Sequence, residues 1–144
     1  MKIYYYVHTG HRVGLDRFRR ACTIIRALGD LDITLLCSDF RIAHEAKEFG
    51  VSKSVGIDDV RNIPKIAQRG DKIIFDSDEA NPLMLDDMRS YFSIFIRISD
   101  SINDKREDKE FLISPYLDGE KICHSVAIDE KYFIKEEKLV KILF

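Results

Sequence analysis

Short apolar runs of about four to seven residues alternate along this chain with amphipathic segments, and that alternation narrows the possible folds more than any other feature. Lys2 to Val7 reads as a strand. Asp16 to Leu28 reads as a helix, with Phe18, Ala21, Ile25 and Leu28 on one stripe and Gly29 as its stop. Asp32 to Cys37 is a second strand. Ser38 or Asp39 caps a helix that runs to Phe49 and stops at Gly50. Ser52 to Ile57 is a weak strand, and Asp58 is expected to cap a helix towards Gln68 that Pro64 bends. Asp71 to Asp76 is a clear strand. Asn81-Pro82 opens a helix with Leu83, Met84, Met88 and Tyr91 on its apolar side. Ser93 to Ile98 and Phe111 to Ile113 complete the expected strands, with the charged run Asp104 to Glu110 between them read as a solvated loop.

Strands and helices in this order imply a parallel sheet covered on both faces. The expected fold is a Rossmann-like three-layer α/β sandwich, with a mainly parallel sheet of five to seven strands. Ligands in such folds bind outside the carboxyl ends of the strands. That rule selects the loops at His8 to Asp16, Ser38 to Asp39, Ser77 to Asn81 and Ser99 to Asp104.

The first of these is the most unusual. HTGHRVGLDRFRR packs two glycines, two histidines and four arginines between a strand and a helix. Gly10 and Gly14 allow close backbone approach, and the helix start offers unpaired N–H groups to an anion such as a phosphate. The bland alternative is a turn with solvated arginines and Asp16 as the helix cap. His8 and His11 are candidates for proton transfer or ligation. Asp76, Asp78 and Glu79 follow the fourth strand and Asp100 the fifth, so neighbouring strand ends could bring these carboxylates together. In preference to a metal site, Ser77, Asp78 and Asn81 are read as capping and turning the chain while the acids balance the arginines opposite, and a hydrogen-bonding role towards a sugar or the first-loop arginines stays open. No metal and no cofactor is expected. The three consecutive tyrosines, Tyr4 to Tyr6, are expected to serve packing alone.

Composition fits one domain. The 144 residues are 45% hydrophobic and 33% charged, with a net charge of -2 that argues against a broad nucleic-acid or membrane surface. Cys22, Cys37 and Cys123 are widely spaced and read as buried, reduced thiols, which makes the cytoplasm the expected compartment.

Along the first loop the sequence resembles the N-terminal half of the UDP-sugar hydrolases of pseudaminic acid biosynthesis, which have the glycosyltransferase-B architecture. That family carries an acid after the first strand, then G-x-G-H-x-x-R opening a helix. Here His8 stands in the acid's place, Gly14 matches the first glycine and Arg20 the arginine. Asp16 replaces the second glycine, and Arg17 replaces the family's catalytic histidine. IIFDSDEANPLMLDDM, SIFIRISD and LISPYLDGEKICHSVAIDEKYF are similar in outline to later parts of the same half.

The resemblance implies a nucleotide-sugar-related domain of glycan or nonulosonic acid biosynthesis, binding a nucleotide-sugar or other anionic small molecule. Its implied binding residues are Gly10, Gly14, Asp16, Arg20, Asp76, Asp78 and Asp100, and its implied catalytic positions are Arg17 and, as a stand-in base, His11. A guanidinium at Arg17 cannot accept a proton. Losing a general base costs about 10²–10⁴-fold in rate, so binding without catalysis is an equal expectation. Residues 1–118 are expected to form the Rossmann-like domain. The tail, 119–144, resembles the linker and first strand of a second domain, with KLVKILF as that strand. An exposed apolar end there would favour a homodimer or a missing second domain. Two other readings stay open: a non-catalytic protein-interaction or dimerisation domain, and, least favoured, a metal-dependent phosphatase-like or receiver-like domain using Asp76 and Asp78.

Overall fold

The structure is a computed structural model that describes residues 1–10, 12, 14–124 and 137–143. Seven strands form one sheet: β1 (Ile3–Val7), β2 (Ile33–Cys37), β3 (Ser54–Gly56), β4 (Lys72–Asp76), β5 (Ile94–Ile98), β6 (Phe111–Ser114) and β7 (Ile122–His124). Their order across the sheet is β3-β2-β1-β4-β5-β6-β7, and every pairing is parallel. The chain therefore runs outward from β1 to β3, then returns to the other side of β1 with β4. The expected doubly covered α/β architecture is what forms.

Strand alternation assigns side chains to two cores. Tyr5, Val7, Leu35, Ile74 and Ile96 face one way, and Tyr4, Tyr6, Leu36, Ile73, Phe75 and Phe95 the other. On the first face lie α1 (Asp16–Ala27) and α2 (Phe40–Glu45), which contribute Phe18, Ala21, Ile25, Ile42 and Ala43. On the second lie a 3₁₀ segment, Val60–Lys65, and α3 (Pro82–Tyr91). A row of rings crosses this second face, with Tyr6 stacked on Phe75 at 5.4 Å and Phe75 tilted against Phe95 at 5.6 Å. Each such buried ring contributes roughly 1.5–3 kcal/mol by leaving water.

Local signals worked as expected at most boundaries. The Asp39 carboxylate accepts from the Arg41 and Ile42 N–H groups and starts α2. Gly50 closes the following 3₁₀ turn at φ 84, where a Cβ would stand 2.6 Å from Arg26 Cδ. Asn81 caps α3 through Met84 N–H, with Pro82 in its first turn.

Four expectations are corrected. Asp59, not Asp58, caps the 3₁₀ segment, and Asp58 accepts instead from the Asn62 side chain at 2.6 Å. The segment is 3₁₀ because Pro64 has no N–H to give an α-helical turn. Leu83 is not on the packed side of α3 but 78% exposed. Glu110, at the end of the supposedly solvated run, is buried.

The fourth correction concerns the tail. The KLVKILF run is helical over α4 (Glu137–Leu143), not a strand. Leu139 and Leu143, spaced i, i+4, are buried in the first core, while Lys141 is exposed. Lys72 Nζ donates to the Leu143 carbonyl at 2.6 Å. The apolar end expected to lie exposed is thus covered at these two leucines. β7 also carries the sheet past residue 118 by pairing with β6. Among the described residues, no helix is long and apolar enough to cross a membrane.

Candidate functional site

The sheet order reverses direction between β1 and β4, and the loops leaving these two strands part there. In parallel α/β sheets this is where a crevice opens.

Thr9, just after β1, is tied both to the end of β2 and to Gly14. Buried Thr9 donates its N–H to Ser38 Oγ at 2.9 Å, and Ser38 Oγ donates back to the Thr9 carbonyl at 3.0 Å. Thr9 Oγ1 donates to the Gly14 carbonyl, and Gly14 N–H closes the loop on Gly10. Gly14 has φ 83, the left-handed region where a side chain is strained. Leu15 occupies the N-cap of α1 and gives no side-chain cap, so the first-turn N–H groups lack one. Asp16 is therefore not the cap. It lies exposed in the first turn, where a carboxylate is favoured by the helix dipole.

One turn along α1, Arg20 reaches the ends of β4 and β5. Its Nε and Nη2 donate to the two Asp76 oxygens at 2.8 and 2.5 Å, and its Nη1 to Asp100 Oδ1 at 2.5 Å. Tyr5 Oη adds a third bond to Asp76, at 2.8 Å. Burial pushes the Asp76 carboxyl upward, opposed by the bonds and charge of Arg20 and by the Tyr5 hydroxyl. Burial also works against the Arg20 charge, but Asp76 outweighs it and holds the guanidinium firmly protonated. Burial, then the Asp76 charge, push the Tyr5 phenol well above its ordinary range. Arg17, one turn earlier on the same side of the helix and half-buried, is held more loosely. Its Nη2 lies 3.3 Å from Asp78 and its Nε 3.9 Å from Asp76.

A second cluster sits on the opposite face of the same edge. Glu79 Oε1 accepts from Tyr6 Oη and, at 3.0 Å, from Ser77 Oγ. His8 Nδ1 lies 3.3 Å from that oxygen but is out of line for a hydrogen bond, leaving this buried nitrogen without one.

Behind the cleft, Glu110 is enclosed between two arginines. Arg89 Nη2 lies 2.9 Å from its Oε1, and Arg97 Nη2 donates to its Oε2 at 2.9 Å. Arg97 Nη1 also donates to Asp104 at 2.6 Å.

These elements enclose a cleft of about 560 Å³, lined by Arg17, Arg20, Asp76, Asp78 and Asp100, with Arg97, Asp104 and the Ser77, Ser99 and Ser101 segments beside them. Five of the expected site residues are thus brought together. Gly10, Gly14 and Asp16 shape the adjoining loop and helix start without lining the cleft. His11, one of the two expected catalytic residues, lies outside the described residues. Among the described residues no three His, Cys, Asp or Glu side chains converge as a metal site.

Sequence reading missed Tyr5, Arg97 and Glu110, and it placed Glu79 among the strand-end acids without foreseeing its contacts to Tyr6 and His8. The available signal was Arg97 itself, a charge inside the apolar strand IFIRI that required a buried partner. A further concavity of similar size, between the 3₁₀ segment and α3, is lined by Ile63, Pro64, Met84, Met88 and Tyr91, among others, and gathers no comparable cluster of ion pairs.

Compared with known proteins, the chain matches no family model and no curated sequence.

Proposed function

We propose that this chain is a small-molecule-binding domain whose cleft, at the divergence of β1 and β4, takes the sugar or phosphate group of a nucleotide-sugar-like anion. The observation that carries this reading is the convergence of Arg17, Arg20, Asp76, Asp78 and Asp100 on one cleft at the place where α/β sheets bind ligands. A role in glycan or nonulosonic acid synthesis rests on the family resemblance alone, which is motif-like only in the first loop. The three buried free thiols fit a reducing, cytoplasmic setting.

The reading is of binding without hydrolysis. Arg17, at the place of the resembled family's base, faces Asp76 and Asp78 and stays charged. His8 is turned towards Glu79.

A thermal-shift series with UDP, UDP-N-acetylglucosamine, CMP and sulfate tests it, using Arg17→Gln as the site variant. Arg20→Ala is unsuitable, because it would strip buried Asp76 of its main counter-charge. Stabilisation at ligand well above Kd is about 2.7 kcal/mol at a hundredfold excess. A UDP-sugar shift that is lost in Arg17→Gln supports the reading. Absence of any shift, in a chain that melts cooperatively, removes it.

A further inference from the structure

Arg17 and Arg20 lie one turn apart on α1 and line the same cleft, yet their attachments differ in kind. Arg20 is committed, with three of its nitrogens donating to Asp76 and Asp100. Arg17 is not. Its nearest carboxylates stand 3.3 and 3.9 Å away, and its side chain makes no hydrogen bond to any described residue. The Arg17 side chain is 26% exposed and that of Asp78 73% exposed. A guanidinium carries five donors in a fork that fits an oxyanion, and an exposed, imperfect ion pair of this kind is held only weakly.

We infer that Arg17 is the anchor for an oxyanion of the ligand, phosphate-like in chemistry, and that Asp78 holds that place until the ligand displaces it. This rests on the reading of the cleft as a ligand site and adds to it a division of labour. Arg20 is a fixed strut. Asp76 is spent on Arg20 and Tyr5 and is a poor rival for Arg17. Asp78, at the start of the loop to α3, is the side chain that yields. The residue standing where a catalytic base was expected is then a binding residue, and Asp78 sets how strongly anions are admitted.

The test follows the Arg17 Nε–H signal by NMR while inorganic phosphate or sulfate is added to the folded chain, in wild type, Asp78→Asn, Asp16→Asn and Arg17→Gln. Asp16 is an exposed acid on the same helical turn that does not line the cleft, so its variant measures the effect of removing a nearby negative charge. For Arg17→Gln, backbone signals of the 77–81 loop replace the lost probe. Asp78→Asn is expected to tighten anion binding about two- to fivefold, clearly more than Asp16→Asn, and Arg17→Gln to weaken it by about tenfold or more. Equal effects of Asp78→Asn and Asp16→Asn, with binding still lost in Arg17→Gln, would overturn the displacement and leave the binding reading standing. No saturable change in wild type or Asp78→Asn overturns the inference, while a UDP-sugar shift in the thermal series would keep the sugar half of the proposed function.

Discussion

Arg20 and Asp76 meet through two parallel hydrogen bonds in the interior, so the first helix is bolted to the end of the fourth strand. Removing one partner of a buried pair strands the other charge, at a cost of about 3–5 kcal/mol. Arg20→Ala is therefore expected to lower unfolding free energy by about that amount, and Arg17→Gln by less than about 1 kcal/mol. Urea denaturation of both variants measures the contrast. Equal, small losses would mean that Arg20 is not the structural member of the two.

Glu110 and its neighbour Lys109 should respond with opposite signs. Glu110→Ala leaves Arg89 and Arg97 facing each other without their shared carboxylate, and is expected to cost about 3–5 kcal/mol. Lys109 turns the chain at φ 65, a left-handed conformation that a side chain disfavours by about 1–2 kcal/mol. Lys109→Gly relieves that strain but adds freedom to the unfolded chain, for a net gain of about 0.5–1 kcal/mol. Calorimetric melting of the two variants should move in opposite directions.

Asp104 gives the fold an acid-sensitive contact. Partial burial disfavours its charge, but hydrogen bonds from Arg97, Ser99 and the Lys105 N–H outweigh this and hold its carboxyl at about 2. A depressed carboxyl stabilises the folded chain above the ordinary carboxylate range and loses that contribution as pH falls towards 2. The difference in urea midpoint between wild type and Asp104→Asn should be full at neutral pH and shrink through this acid window. A difference independent of pH would mean that the carboxylate charge is not what stabilises.

Tyr5 and Tyr6 set a limit at the other end of the scale. Burial first, then bonds to Asp76 and Glu79, raise both phenols above their ordinary value. A raised phenol supports the fold fully below its unfolded value and loses that support as pH climbs. On alkaline titration, tyrosinate absorbance should rise in two steps, the second coinciding with loss of circular dichroism. Complete ionisation before any loss of structure would contradict the two buried hydroxyl contacts.

The strands and their ends were readable because apolar runs such as KIIF and SIFIRI carry their own periodicity, and parallel connections place all their carboxyl ends together. That is why Arg17, Arg20, Asp76, Asp78 and Asp100 were foreseen as neighbours. Tyr5 was not, because its role depends on the register that sets it opposite Ile74. Glu110 was hidden by its local company, since its partners Arg89 and Arg97 come from a helix and another strand. KLVKILF was ambiguous by nature. A run of about seven apolar and basic residues suits a strand or a helix, and only its burial against the first core decided the matter.

The placement of β1 between β2 and β4 also governs how the chain must come together. Tyr5 and its acceptor Asp76 stand 71 positions apart. Until β4 arrives, β1 has one partner, and its other margin offers open N–H and C=O groups between two apolar faces. Closing so long a loop is slow, and an unpaired margin of this kind can recruit a second chain. The ion pair and the tyrosine hydroxyl that organise the cleft are therefore late contacts, and refolding yield should fall as protein concentration rises.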